Sequence, residues 1–354
     1  MIPDIQDKLH EMGLSENPFR DFLPDDPRFL KAFVNRAKEV YKLDTAIEFY
    51  RNGAGANIAI IGPSRIGKTT ILQYTIMKAS RLHTCIYYPY PPRFEEFVAD
   101  LLQQVSGADT EAEGLRDRAN ALIHALSEKK GDVIVIIDNF EEMEQISSEE
   151  YDEYIRVFRR SGILYIVACT ETPWTDLISG NGGLKNAFPT EIYMPPFSLK
   201  SAMEFFKARL ATSRHGEHGD YYPFEEDVIR LIGIYSFFIP GRMNDLANKL
   251  VFEALTEEVL PIGEEFFKRV IFGTPTVSKY LSGLAEREIA TLEAMIERGE
   301  PSSFEMLADD LDVSRVAAAG YIQRLMERGL VEQIDTPGKR RLFRLTAAFR
   351  GMLA

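Results

Sequence analysis

A chain of 354 residues with 45% hydrophobic and 27% charged content has an ordinary globular composition and the length for two or three domains. It has no uncharged apolar run of roughly 18 residues, and its N-terminus, MIPDIQDKLHEMGL, is acidic and lacks an apolar stretch; a cytoplasmic protein without a membrane partner is expected. The formal net charge of −13 argues against a surface coated in nucleic acid, although where the charge lies matters more than its sum. Asn139 to Glu153 holds seven acidic residues and no basic one, whereas Val331 to Ala354 holds Lys339, Arg340, Arg341, Arg344 and Arg350 against Glu332 and Asp335. The two cysteines, Cys85 and Cys169, sit in apolar strand-like runs and read as core residues. His215-x-x-His218 has no carboxylate or cysteine at ligand spacing and is set aside as a metal site.

In chain order, the segment to Asn52 is polar, with prolines at 3, 18, 24 and 27, before it turns helical. Glu16-Asn17-Pro18-Phe19 and Phe33-Val34-Asn35-Arg36 stand upstream of the first strand. They read either as a leader packed on the core or as a lip for a nucleotide base. Next come Ile58, Ala59, Ile60 and Ile61, a short buried strand, and Gly62-Pro63-Ser64-Arg65-Ile66-Gly67-Lys68-Thr69, which fits GxxxxGK[ST]; a helical pattern follows from Thr70. The glycines let backbone N–H groups point at phosphate oxygens, and the helix N-terminus adds partial positive charge. Lys68 is placed to reach the β- and γ-phosphates and Thr69 to sit on Mg²⁺, so the stretch predicts a nucleoside triphosphate site.

His83 to Tyr90 reads as a second strand, with helices over Phe94 to Val105 and Glu111 to Ser127. Asp132-Val-Ile-Val-Ile-Ile-Asp138 is a continuous apolar run ending in a carboxylate, as suits a parallel strand buried on both faces whose Asp138 holds the Mg²⁺ shell. The next residue is Asn139, an amide that can position water but cannot accept its proton. Glu141 and Glu142 follow closely enough in sequence to substitute for a catalytic glutamate, and the acidic tract beyond reads mainly as a solvated helix face. Gly162 to Ala168 is another apolar strand whose tip, Thr170, is a candidate γ-phosphate contact, with strand capping an equal alternative; Glu191 to Met194 is the last strand. Strands alternating with helices predict a three-layer α/β/α core.

From Ser198 to about Gly273 the pattern is helical, and Arg242 opens a helix after Pro240-Gly241, placed to reach back toward phosphates. Thr274 to Ser278 reads as a linker. Leu284 to Ala354 predicts a winged helix-turn-helix, with a first helix over Glu286 to Arg298 and a capping box Ser302-x-x-Glu305 opening the second. The third, Arg315 to Arg328, is expected to bury Val316, Ala319, Ile322 and Met326 and to expose Ala317, Tyr321, Arg324 and Arg328. Two short strands flank a Pro337-Gly338 turn bearing Lys339, Arg340 and Arg341. Docking on double-stranded DNA would use Arg315, Tyr321, Arg324 and Arg328 in the major groove and Lys339, Arg340 and Arg341 on the backbone. Contact with a protein partner is the alternative.

In order, FVNRAKEV, GPSRIGKTTIL, VIVIIDNFEE and PGRMNDLANKL give the chain a resemblance to AAA+-like ATPases. Within these it resembles the archaeal-ATPase branch of the STAND group and the archaeal Orc/Cdc6-like initiators. That resemblance implies four segments: a leader and adenine-side segment 1–52, a P-loop ATPase core 53–197, a helical lid 198–275 and a winged helix 280–354. It also implies ATP/ADP with Mg²⁺ bound at Gly62 to Thr70, favours the base-binding lip for the segments upstream of the first strand with an adenine pocket lined by Phe33, Val34 and Arg36, and implies Arg242 as sensor 2. ATP would drive switching between open and closed or oligomeric states. Two departures stand out. Asn139 replaces the usual glutamate, which predicts slow hydrolysis, and between Thr170 and Glu191 the only cation is Lys185, where an arginine finger is common. The leading reading is an ATP-regulated DNA-binding switch in replication, transcription or mobile-element control. A STAND-type signalling ATPase ranks second and a metabolic kinase last, because no substrate domain remains unassigned.

Overall fold

The structure, a computed structural model, describes residues 5–107, 114–180, 182–272, 283–298, 301–334 and 341–352. It forms two compact units, Leu23–Pro195 and Met1–Phe22 with Pro196–Ala354. The segment 1–52, expected as one leader, is therefore shared between them at Phe22/Leu23. Among the described residues no helix is long and apolar enough to cross a membrane.

Leu23–Pro195 is built on five parallel strands, β1 (Ile58–Ile61), β2 (Thr84–Tyr88), β3 (Val133–Ile137), β4 (Leu164–Cys169) and β5 (Thr190–Tyr193), in the order β2-β3-β4-β1-β5. Every residue of β1, β3 and β4 is buried, the result expected of apolar runs without alternation. Helices such as Phe94–Ser106 and Leu115–Ser127 connect the strands, and Phe94, Phe97, Phe140, Tyr154, Phe158, Trp174 and Phe188 fill the core beside them. Register sets the strand ends side by side: Ile61 is level with Cys169, and Ile137 with Val167. The loops that leave β1, β3 and β4 thus emerge at one carboxyl edge, where open α/β sheets bind ligands. The acidic tract divides into a short 3₁₀ helix, Phe140–Gln145, and a helix, Ser148–Arg160, started by a Ser147/Glu150 capping box.

In the other unit, Glu16–Phe19 does not behave as a base-binding lip. Phe19 is buried against Phe206 and Phe224, its carbonyl accepts from Asn244 Nδ2 at 2.8 Å, and Asn17 donates to Asn248. An aromatic placed among aromatics gains more from burial than it would at an open rim, so this half of the leader is core.

The C-terminal part of the same unit has three helices, Glu286–Arg298, Phe304–Asp310 and Arg315–Glu327, followed by antiparallel β6 (Val331–Ile334) and β7 (Leu342–Leu345). Two expectations are corrected here. The second helix is capped by Ser303, whose hydroxyl accepts from Met306 N, because the Ser302 backbone is already paired in both directions with Phe343. The third helix buries Ala318, Ile322 and Leu325, whereas Val316 is 84% exposed and Met326 also faces solvent. The expected linker Thr274–Ser278 and the hairpin-tip residues Lys339 and Arg340 lie outside the described residues, while Arg341 is described and exposed.

Candidate nucleotide site

The loop after β1 takes its shape from two glycines. At Gly62 a Cβ would lie 2.9 Å from the Met194 carbonyl, so only glycine lets this turn pass the end of β5. Gly67 has φ +100° and ends the loop at the start of helix Lys68–Ala79, with open space where a Cβ would stand. Its neighbours Ser64, Arg65, Thr69 and Thr70 are exposed, Pro63 is half-buried, and Ile66 is buried as the anchor of the loop.

Lys68 is the buried charge at the centre. Its ammonium donates to the carbonyls of Gly62 at 2.9 Å and Pro63 at 3.0 Å, so it folds back over the loop. Burial draws its pKa down, and the fields of Glu141, then Asp138, act the other way. Asp138, 1% exposed, lies just past β3 and collects three donors: Thr69 Oγ1 at 2.6 Å, the Asn139 N–H at 2.9 Å and Tyr87 OH at 3.3 Å. Burial and the Asp138 carboxylate push the Tyr87 hydroxyl up to about 12, so it remains a donor at neutral pH.

A hydroxyl and a buried carboxylate in contact, beside a glycine loop, fit a hard divalent cation that also takes phosphate oxygens. Among the described residues no group of three or more His, Cys, Asp or Glu is placed to hold a metal, so such a cation would rely on Thr69, Asp138 and the nucleotide itself.

The structure brings Gly62 to Thr70, Asp138, Asn139 and Thr170 together at one edge. Asn139 sits in the left-handed region at φ 46°, and its side-chain amide donates to the Pro89 carbonyl at 2.9 Å. Thr170, half-buried, gives its backbone N–H to Glu141 Oε2 at 3.3 Å. Phe33 stacks on Tyr74 of the P-loop helix, ring centroids 4.6 Å apart, and Val34 beside it is half-buried. Arg36, 6% exposed, donates to the carbonyls of Ile66 and Pro195, both at 2.9 Å, with Glu39 at 3.7 Å; it braces the P-loop from behind. Arg242 lies in the other unit, in the first turn of helix Pro240–Glu257.

Three contributions were not read from the sequence: the Arg36 brace, Tyr87 on Asp138, and the placement of Glu141. Tyr87 left a trace, since it lies in the strand-like HTCIYYPY and β2 pairs with β3.

The arginines of the third C-terminal helix are engaged within the unit. Arg324 pairs with Glu288, Arg315 with Glu305 at 2.9 Å, and Arg328 donates to the Gly283 carbonyl at 3.0 Å. Tyr321 is half-buried beneath the Arg324 guanidinium, 5.3 Å from its ring centre.

A family model described as an AAA domain matches residues 51–172. An uncharacterized HTH-type transcriptional regulator of Methanocaldococcus jannaschii is 21% identical over 391 residues, covering 99% of this chain and 95% of that protein. The structure is similar to the ORC2 protein of Aeropyrum pernix, solved as ADPNP and ADP complexes (TM-score 0.56, 16% identity, 96% of each chain). It is also similar to the ORC1 protein of the same organism, solved in complex with DNA (TM-score 0.53, 16% identity, 93% of this chain and 94% of that one). Residues 51–172 thus match an AAA domain, and the chain has the P-loop, AAA+ type of fold seen in these archaeal ORC proteins and in Cdc6p of Pyrobaculum aerophilum.

Proposed function

We propose that this chain is an ATP-binding and ATP-hydrolysing switch whose C-terminal winged helix-turn-helix engages double-stranded DNA, with the bound nucleotide setting the affinity. The observation that carries it is the joining, in one chain, of the Lys68–Thr69–Asp138 arrangement to three helices and a hairpin. The HTH-type name of one relative and the DNA complex of the similar ORC1 protein support the DNA side. In this reading the loop amides and Lys68 hold the ATP phosphates, and Phe33 and Val34 face the adenine. Thr69 and Asp138 hold Mg²⁺, which supplies charge neutralisation across the phosphates when bound. Arg242 responds to the γ-phosphate as sensor 2. The ATPase core, the helical lid and the winged helix act in the cytoplasm, and a homo-oligomer or a protein partner carries the output.

A specific observation favours a second reading, signalling through protein contact. Arg315, Arg324 and Arg344 are each paired with a carboxylate of their own unit, and the exposed face of helix Arg315–Glu327 carries Val316 and Met326. Paired arginines must give up a partner before they can meet phosphate.

The experiment is duplex-DNA binding by fluorescence anisotropy over a salt series, comparing the natural chain with Lys339→Ala/Arg340→Ala/Arg341→Ala. If the wing lies on phosphates, the triple variant binds all sequences more weakly, and the slope of log affinity against log salt shrinks by about 0.9 per lost contact. Equal affinity and slope in the two proteins would overturn the DNA reading and leave the signalling one.

A further inference from the structure

Adjacent to Asp138, where a carboxylate is common in such sites, this chain has Asn139, and the structure commits that amide elsewhere. Its left-handed backbone turns the side chain to the Pro89 carbonyl beyond β2, so the amide serves the loop. The left-handed turn also starts the 3₁₀ helix Phe140–Gln145 directly behind the end of β3. Phe140 and Met143 are buried and anchor this helix to the core, which fixes the directions of the two glutamates between them. Glu142 turns back to Gln145 within the same helix. Glu141 turns the other way. Its Oε2 accepts the Thr170 N–H at 3.3 Å.

Cys169 ends β4, the strand beside β1, Thr170 follows it, and the Cys169 carbonyl accepts the Gly62 N–H at 3.3 Å. Glu141 is therefore held one strand from the first residue of the phosphate loop. A half-buried carboxylate with one oxygen tied to the backbone just past β4 stands at the same carboxyl edge of the sheet as the phosphate loop.

We propose that Glu141 is the catalytic carboxylate of this chain: it orients the attacking water and takes its proton. The inference rests on the ATPase reading above. In the step, the water oxygen forms a bond to the γ-phosphorus while the bond from that phosphorus to the β–γ bridging oxygen breaks. The electron pair leaves on ADP, the water's proton passes to Glu141, and solvent then recovers it. With this assignment Asn139 no longer implies slow turnover, because the proton acceptor lies two residues further on, brought in by the 3₁₀ turn.

The test is single-turnover hydrolysis of Mg·ATP by the full chain, with binding followed in parallel by a fluorescent ATP analogue. Glu141→Gln is expected to slow hydrolysis by about 100-fold or more, the scale of a lost general base, with nucleotide affinity held within about threefold. Glu141→Asp, which keeps a shorter carboxylate, falls between, and Glu142→Gln stays within about twofold of the natural chain. Natural hydrolysis that survives Glu141→Gln, or is lost in Glu142→Gln instead, overturns the assignment and leaves the ATPase reading standing. Loss of nucleotide binding in both Glu141 variants makes the residue a brace of the loop and also overturns it. Absence of hydrolysis in the natural chain removes the ATPase reading and this proposal together.

Discussion

Lys68→Ala is expected to lower ATP affinity by at least about 100-fold while the chain stays folded. The two carbonyls that now accept from its ammonium, those of Gly62 and Pro63, line the same loop that phosphate oxygens would enter. ATP binding exchanges these neutral acceptors for charged ones, and charge-assisted hydrogen bonds are roughly twice as strong as neutral ones. Two such contacts at about 1.5–3 kcal/mol each amount to a loss of more than two decades in affinity. The fold should survive, since alanine favours the first turn of helix Lys68–Ala79 and no buried cation is left unpaired. Isothermal calorimetry with Mg·ATP checks this, and a folded variant with undiminished affinity would remove the P-loop assignment.

The second large effect is expected at Arg36. Its buried guanidinium spans the Ile66 carbonyl in the phosphate loop and the Pro195 carbonyl beyond β5, with the buried Glu39 carboxylate near it. Arg36→Ala leaves two carbonyls without their donor and a carboxylate without its cation, a loss of about 3–5 kcal/mol. For a unit of this size that corresponds to a Tm lower by about 10 °C. ATP affinity should also fall, by about tenfold, because the loop is no longer pinned from behind. Arg36→Lys restores little, since an ammonium cannot fork between two carbonyls. Thermal unfolding and nucleotide titration of the two variants check this; a natural Tm in Arg36→Ala would show that the brace carries no stability.

What could be read from the sequence follows from how local each signal is. β1, β3 and β4 were legible because apolar runs of four to six residues buried on both faces need no partner to be recognised. Lys68, Thr69 and Asp138 were legible because phosphate chemistry dictates both residue type and spacing. Arg36 was seen as a site residue, but its role was not, because its acceptors lie 30 and 159 residues away. Glu141 and Glu142 were both legible as substitutes for a catalytic glutamate, but which of them turns toward the strand tip was set by one backbone torsion, the left-handed Asn139 that converts a run of acidic residues into a turn with two opposite faces. The third C-terminal helix was misjudged for another reason. In RVAAAGYIQRLME, the sets Val316-Ala319-Ile322-Met326 and Ala318-Ile322-Leu325 both satisfy helical spacing. Alanine and glycine between them give the periodicity little contrast, and packing against helix Glu286–Arg298 decided the rotation, bringing Arg324 to Glu288.

The central claim is that nucleotide and DNA are coupled, and it is tested by one titration. Duplex-DNA affinity is measured at fixed salt with Mg·ATP, with Mg·ADP and with no nucleotide, for the natural chain and for Lys68→Ala. Coupling between sites typically spans about 5- to 150-fold in affinity, so exchanging ATP for ADP should shift DNA affinity by at least about fivefold in the natural chain and not at all in Lys68→Ala. DNA affinity that is the same in all three nucleotide conditions would contradict the account.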